Sequence, residues 1–232
     1  MTSKHTSFFM LLEELQQPGC ALCRLGATAA NRFLDALLYE YVNDFDMRRT
    51  LQASHGFCPT HSVALVSRHD ALGTSILYNS VLARLQTELE ALETVDQKGV
   101  LDRLRDQLGS GAGSDALLAA EAGCPACDQR DEATSRALGI MAKHAGDEEL
   151  VAALKESGGF CLPHLRVALN RLTGPARDQI RIREQEVLQA LRDELGEAIR
   201  KYDYRFQGEG FGAEEDAWRR AVEVTAGMPG VF

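Results

Sequence analysis

Eight side chains in this sequence have the types and spacing to bind metal, and they use all six of its cysteines. Two Cys-x-x-Cys pairs, Cys20/Cys23 and Cys124/Cys127, are each followed downstream by a Gly-Phe-Cys-x-x-His motif. The first motif is Gly56-Phe57-Cys58-Pro59-Thr60-His61 and the second is Gly159-Phe160-Cys161-Leu162-Pro163-His164. The two intervals are 34 and 33 residues. A Cys-x-x-Cys turn points two sulfurs to one side, so it can clamp one ion. Cys58 and His61 would lie in the first turn of a helix, where the positive end of the helix dipole favours a thiolate. Three thiolates and one imidazole complete a closed tetrahedral site of the structural zinc type.

Disulfides do not account for a histidine at the fourth place of both motifs. A thioredoxin-like centre would need a βαβ pattern, and there is none. The expected cofactors are therefore two zinc ions, with two iron–sulfur clusters as the alternative, since thiolate-rich sites hold those too. The simpler grouping is within each half: Cys20, Cys23, Cys58 and His61, then Cys124, Cys127, Cys161 and His164. The same residues could also join across the halves, Cys20 and Cys23 with Cys161 and His164.

The elements that must position these ligands read as helices. A short amphipathic helix covers 8–19 and is broken by Pro18-Gly19. Leu25, Ala29, Phe33, Leu37 and Tyr41 recur at helical spacing over 24–43. A shorter helix over 46–54, capped by Asp44 or Asp46, is expected to return the chain to its start. A long helical pattern with a break at Gly73 follows His61. The second half repeats this order: a lead-in helix at 117–120, a helix pair at 128–144 and 147–157, and a long helix over 177–202. A last helix is expected over 217–225, with frayed residues after it. Strand signals are scarce. The fold class is all-α and internally duplicated, each half built around a Cys3His site. The expected divisions are 1–95, a Gly/Ser-rich linker at 96–114, 115–206, and a C-terminal tail at 207–232.

The formal charge of −9 argues against a general grip on nucleic acid or an anionic membrane. The apolar run at 8–12 is too short for a signal peptide, and no run is long enough to span a bilayer. The expected compartment is the cytoplasm. The expected partners are proteins, with no nucleic acid and no membrane, and a homo-oligomer is left open.

No P-loop, His-Glu-x-x-His, Gly-x-Ser-x-Gly or Gly-x-Gly-x-x-Gly motif is present. No catalytic residues are assigned. His55 reads as a spare ligand or a donor to one. His5 reads as disordered, and His69 and His144 as surface or half-buried helix residues. Arg200-Lys201-Tyr202-Asp203-Tyr204-Arg205-Phe206 reads first as a helix end whose aromatics dock on the core, with a contact surface of aromatics and arginine as the alternative.

With both pairs, both Gly-Phe-Cys-x-x-His motifs and the Lys-Tyr-Asp-Tyr-Arg-Phe segment, residues 8–206 resemble a family of uncharacterised bacterial proteins. These are known only as a domain of unknown function. The resemblance implies a bacterial cytoplasmic protein and supports the eight ligands, but it supplies no activity. Within the chain the two pairs differ, because Ala21 follows Cys20 whereas Pro125 follows Cys124. The function expected is that of a metal-binding module, most simply a zinc-stabilised binding or regulatory protein. The alternatives are an iron–sulfur electron carrier or redox sensor and, less favoured, an enzyme with a pocket between the halves.

Overall fold

Ten α-helices and one short 3-10 turn make up the regular structure among the described residues, 4–96 and 118–231, of a computed structural model. In chain order the helices are α1 (Thr6–Leu15), α2 (Ala21–Glu40), α3 (Phe45–Ala53), α4 (Pro59–Val66), α5 (Ala71–Asp96), α6 (Pro125–Lys143), α7 (Glu148–Glu156), α8 (Leu162–Arg171), α9 (Gly174–Lys201) and α10 (Ala217–Ala226). The all-α expectation holds. The order long, short, short, long occurs twice, in α2–α5 and in α6–α9.

Local chemistry explains the boundaries. The Asp44 carboxylate accepts from the Met47 N–H at 2.8 Å and caps α3, and Asp147 caps α7 in the same way. Each capping oxygen satisfies an N–H that has no partner inside its helix. Pro59 and Pro163 stand at the heads of α4 and α8, where a missing N–H costs nothing. The break expected at Gly73 lies earlier, between α4 and α5. His69 there adopts a left-handed φ of 55°, and Asp70 caps the new helix by accepting from the Gly73 N–H. Gly73 is needed because a Cβ would sit 2.6 Å from the Asp70 carboxylate.

The chain forms two compact units. The first joins Met1–Ala29 to Arg130–Phe232, and the second is Ala30–Gln129. This differs from the expected cut into 1–95 and 115–206. Nearly all of the expected linker, 96–114, lies outside the described residues. In the first unit α1 packs on α7, α7 on α9, and α8 and α10 on α9 and on each other. Phe8, Leu11, Leu15, Leu22, Leu138, Met141, Leu150 and Phe160 fill its core. In the second unit α3 packs on α5, around Leu34, Leu37, Leu51, Leu65, Leu77 and Val81.

Two expectations are corrected. Residues 118–120 form a turn, not a lead-in helix. The described residues after α10, up to Val231, are held in place too. Val231 is buried in the first core with Met228 packed against the same cluster, and the Arg130 guanidinium donates to the Val231 carbonyl at 2.7 Å. An apolar side chain and a paired carbonyl hold the terminus down. Among the described residues no helix is long and apolar enough to cross a membrane.

Leu34 is fully buried, whereas Leu72 is 73% exposed. Leu34→Ala should lower unfolding stability by about 2–5 kcal/mol in denaturant titration. Leu72→Ala should change it by less than about 0.5 kcal/mol.

Candidate metal centres

The knuckle of each Cys-x-x-Cys pair stands at the head of a long helix. Cys20 precedes α2 and Cys23 lies in its first turn, while Cys124 and Cys127 bracket the head of α6 in the same way. The second pair of ligands sits at the head of a short helix. Cys58 and Cys161 are the N-cap residues of α4 and α8, with extended backbone, and His61 and His164 follow in the first turn. Gly56 and Gly159 reach these caps through left-handed φ values of 92° and 76°. Side chains adopt that region at a cost, so glycine is required there. At Gly159 a Cβ would also meet the Glu184 carboxylate at 2.9 Å.

All eight predicted ligands converge, in two groups of four. One group is Cys20, Cys23, Cys161 and His164, and the other is Cys58, His61, Cys124 and Cys127. Within each group all ligand atoms lie within 4.8 Å of one another. The grouping is therefore across the sequence halves, which corrects the simpler in-half reading. Helix length gives the reason. The outgoing helix α2 has 20 residues and the return helix α3 has 9, or about 30 Å against about 13 Å. The same mismatch separates α6, with 19 residues, from α7, with 9. Neither return leg retraces its outgoing leg, so each capping motif meets the other pair's knuckle.

In the first group His164 Nδ1 lies 3.5 Å from Cys20 Sγ, 3.3 Å from Cys23 Sγ and 3.2 Å from Cys161 Sγ. The Cys23 and Cys161 sulfurs are 3.5 Å apart, far beyond a disulfide bond of about 2.05 Å. In the second group His61 Nδ1 lies 3.2 Å from Cys58 Sγ, 3.6 Å from Cys124 Sγ and 3.4 Å from Cys127 Sγ. Cys58 and Cys127 are 3.6 Å apart. A tetrahedron with metal–sulfur bonds of about 2.3 Å and metal–nitrogen bonds of about 2.0 Å has edges of roughly 3.4–3.8 Å. Both groups come close to those edges, so their residues fit one four-coordinate ion each.

The electrostatics point the same way. Hydrogen bonds from Cys161 and Cys23 drive the Cys20 thiol far below its ordinary range. Its hydrogen bonds to Cys20 and Cys23, then burial, push Cys161 strongly up. Cys23 is pulled down by its contact with Cys161, but Cys20 and burial outweigh this and push it up to about 11. A cation placed among these three adjacent buried sulfurs would let all of them ionise. At the other group the Cys58 thiol is lowered. Burial opposes the shift, but the peptide N–H of His61 and contacts from Cys127 and Cys124 outweigh it.

Further side chains hold the ligands in place. His164 turns Nδ1 to the sulfurs, so its Nε2–H faces Thr134 Oγ1, buried and 3.4 Å away. A partner of this kind fixes the ring and its tautomer. The Phe160 N–H, next to Cys161, donates to Glu184 Oε2 at 2.9 Å. Gly158 meets the knuckle backbone so closely that a Cβ would lie 3.0 Å from the Gly19 nitrogen. In the second unit the Ala53 carbonyl accepts from the Glu121 and Ala122 N–H groups at 2.8 and 3.1 Å, which ties the second knuckle beside the first capping motif. Sequence reasoning missed Thr134 and Glu184, because a lone threonine or glutamate inside a helix carries no local signal of burial.

The other expectations divide. His55 stands outside both groups, and its Nε2 lies 2.9 Å from the Glu88 carboxylate. His5 is ordered as the N-cap of α1. His144 is buried against the Phe8 ring, 4.9 Å between centroids. The aromatics of the Arg200–Phe206 segment do not dock on the core: Tyr202 is 72% and Tyr204 80% exposed. Tyr202 instead meets Phe211 at a tilt, 5.2 Å between centroids, and the Arg200 guanidinium covers the Phe206 ring at 4.5 Å.

A model of a family of unknown function, DUF6062, matches residues 11–229. The chain belongs to that family. A relative, an uncharacterized 23.9 kDa protein in the xynA 3' region of Caldicellulosiruptor sp. (strain Rt8B.4), is 26% identical over 223 residues. The alignment covers 94% of this chain and 99% of that protein. No solved structure matches the chain. Neither a family of unknown function nor an uncharacterized relative names an activity, so the geometry of the two groups is what bears on function.

Glu184 offers a pH test. Burial raises its carboxyl to about 7. A carboxyl raised on folding binds its proton more tightly in the native state, so its contribution to stability falls as pH climbs from about 4.5 to 7 and then levels off. Glu184→Gln keeps an oxygen for the Phe160 N–H. Relative to the parent it should gain stability across that window, by up to about 3 kcal/mol at pH 8, measured by denaturant titration at fixed metal load.

Proposed function

We propose that this protein is a zinc-stabilised helical module in which each Cys3His group holds one ion, and that it acts by binding rather than by catalysis. The observation that carries the proposal is the near-tetrahedral spacing of the four ligand atoms in each group, all within 4.8 Å. That spacing supports a single ion over an iron–sulfur cluster, whose ligands sit on different irons and must spread farther apart. Among single ions, a closed Cys3His set with borderline-soft donors suits zinc. Four protein ligands leave no open position for substrate, which favours a structural role.

The module is proposed to work in the cytoplasm, where reduced thiols remain available as ligands. A protein partner is proposed, on the exposed Ile199, Tyr202, Phe211 and Trp218 side chains, since aromatic residues are enriched in interface hot spots. The repeated element order and the repeated motifs support descent from one duplication.

Elemental analysis of purified protein should find about two zinc ions per chain, without the visible absorption of an iron–sulfur cluster. Cys58→Ser should lower that to about one. Because ligand binding energy is folding energy at such sites, stripping both ions with a chelator should lower the melting temperature by well over about 10 °C. Unchanged metal content in Cys58→Ser, or iron and sulfide in place of zinc, would overturn the proposal.

A further inference from the structure

The two groups carry the same four donors but differ in protection. Cys20, Cys23, Cys161 and His164 are all buried, and their sulfurs belong to the main hydrophobic core of the first unit. The Thr134 hydroxyl backs the imidazole, Glu184 holds the turn before Cys161, and Gly158 packs closely on Gly19. In the other group His61 is buried, but Cys58, Cys124 and Cys127 are all part-exposed. Residues 118–123, which lead into that knuckle, are exposed throughout. Thiolate oxidation follows exposure and thiolate character, so two chemically equal sites should react unequally.

Resting on the zinc reading above, we propose that the Cys58/His61/Cys124/Cys127 group is an oxidative modification site. A peroxide would there convert Cys58 and Cys127 to a disulfide and release the ion, while the buried group keeps its own. The sulfurs of Cys58 and Cys127 stand 3.6 Å apart, close enough to bond after a small shift. One thiolate attacks the peroxide, the O–O bond breaks, and a sulfenic acid forms. The second thiolate displaces its oxygen, and an S–S bond is made. Two electrons pass from the sulfurs to the peroxide, and two protons from solvent complete two waters. Cys124 and His61 remain as two ligands, too few for a closed zinc site. The chemical class of the effector is thus a small two-electron oxidant that diffuses to an exposed thiolate.

The test uses full-length reduced protein carrying two zincs. Hydrogen peroxide is added, and released zinc is followed with the chromophoric chelator 4-(2-pyridylazo)resorcinol. The expected course is one zinc per chain released about tenfold or more faster than the other, with a Cys58–Cys127 peptide link in the digest. Cys161→Ser should retain only the fast ion and Cys58→Ser only the slow one. Should Cys58→Ser fail to fold, the wild-type peptide map taken after the first ion has left gives the same assignment. Release of both ions together, release first from the buried group, or a first link that excludes Cys58 would each overturn the inference and leave the zinc assignment standing. Absence of zinc before peroxide is added would instead overturn the assignment, and this inference with it.

Discussion

Three sulfurs and an imidazole nitrogen crowded into a space less than 5 Å across form the constraint on which this structure depends. Sulfurs that close in a buried site cannot all ionise against one another, and as neutral thiols they gain little from contact. A cation among them would relieve that conflict. On the proposed reading the ion replaces mutual repulsion with four bonds, and it does so between segments separated by more than 130 residues in one unit and by more than 60 in the other.

That linkage explains why the parts around the groups are so unforgiving. Gly56 and Gly159 must be left-handed to turn a cysteine onto a helix head. The capping positions of Cys58 and Cys161 place each sulfur against the first N–H groups of a helix, where negative charge is favoured. Gly158 and Gly19 meet backbone to backbone, leaving no room for a methyl group. In the first unit the sulfurs are also core atoms, packed with Leu22, Phe160 and Ile180. Metal geometry and hydrophobic packing are therefore one problem there. In the second unit the ligands lie nearer the surface and the two problems separate.

Much of this was legible in the sequence, and the reasons are local. Helical spacing of apolar residues located α2, α3, α6, α7 and α9 to within a few residues. Asp44 was one of two expected caps, and the two repeated motifs named all eight residues that converge. The pairing of ligands was left open, with the in-half grouping as the simpler of the two, although a fact that favours exchange was present. An outgoing helix of about twenty residues cannot be retraced by one of nine, so the halves had to exchange ligands. The break before α5 was placed at Gly73 because glycine is a conspicuous breaker, whereas the chain turns earlier at His69 and Asp70. Burial of Val231, Thr134 and Glu184 depends on distant partners, and no window of sequence contains them.

The account's central claim is the exchanged grouping, and paired substitutions with zinc counting test it most directly. Cys20→Ser with Cys161→Ser removes two ligands from one group and none from the other, so that chain should keep about one zinc. Cys20→Ser with Cys58→Ser strikes both groups and should leave almost none. The reverse result, one ion kept by the second double variant and none by the first, would mean that the ligands join within the halves, and it would contradict the structure described here.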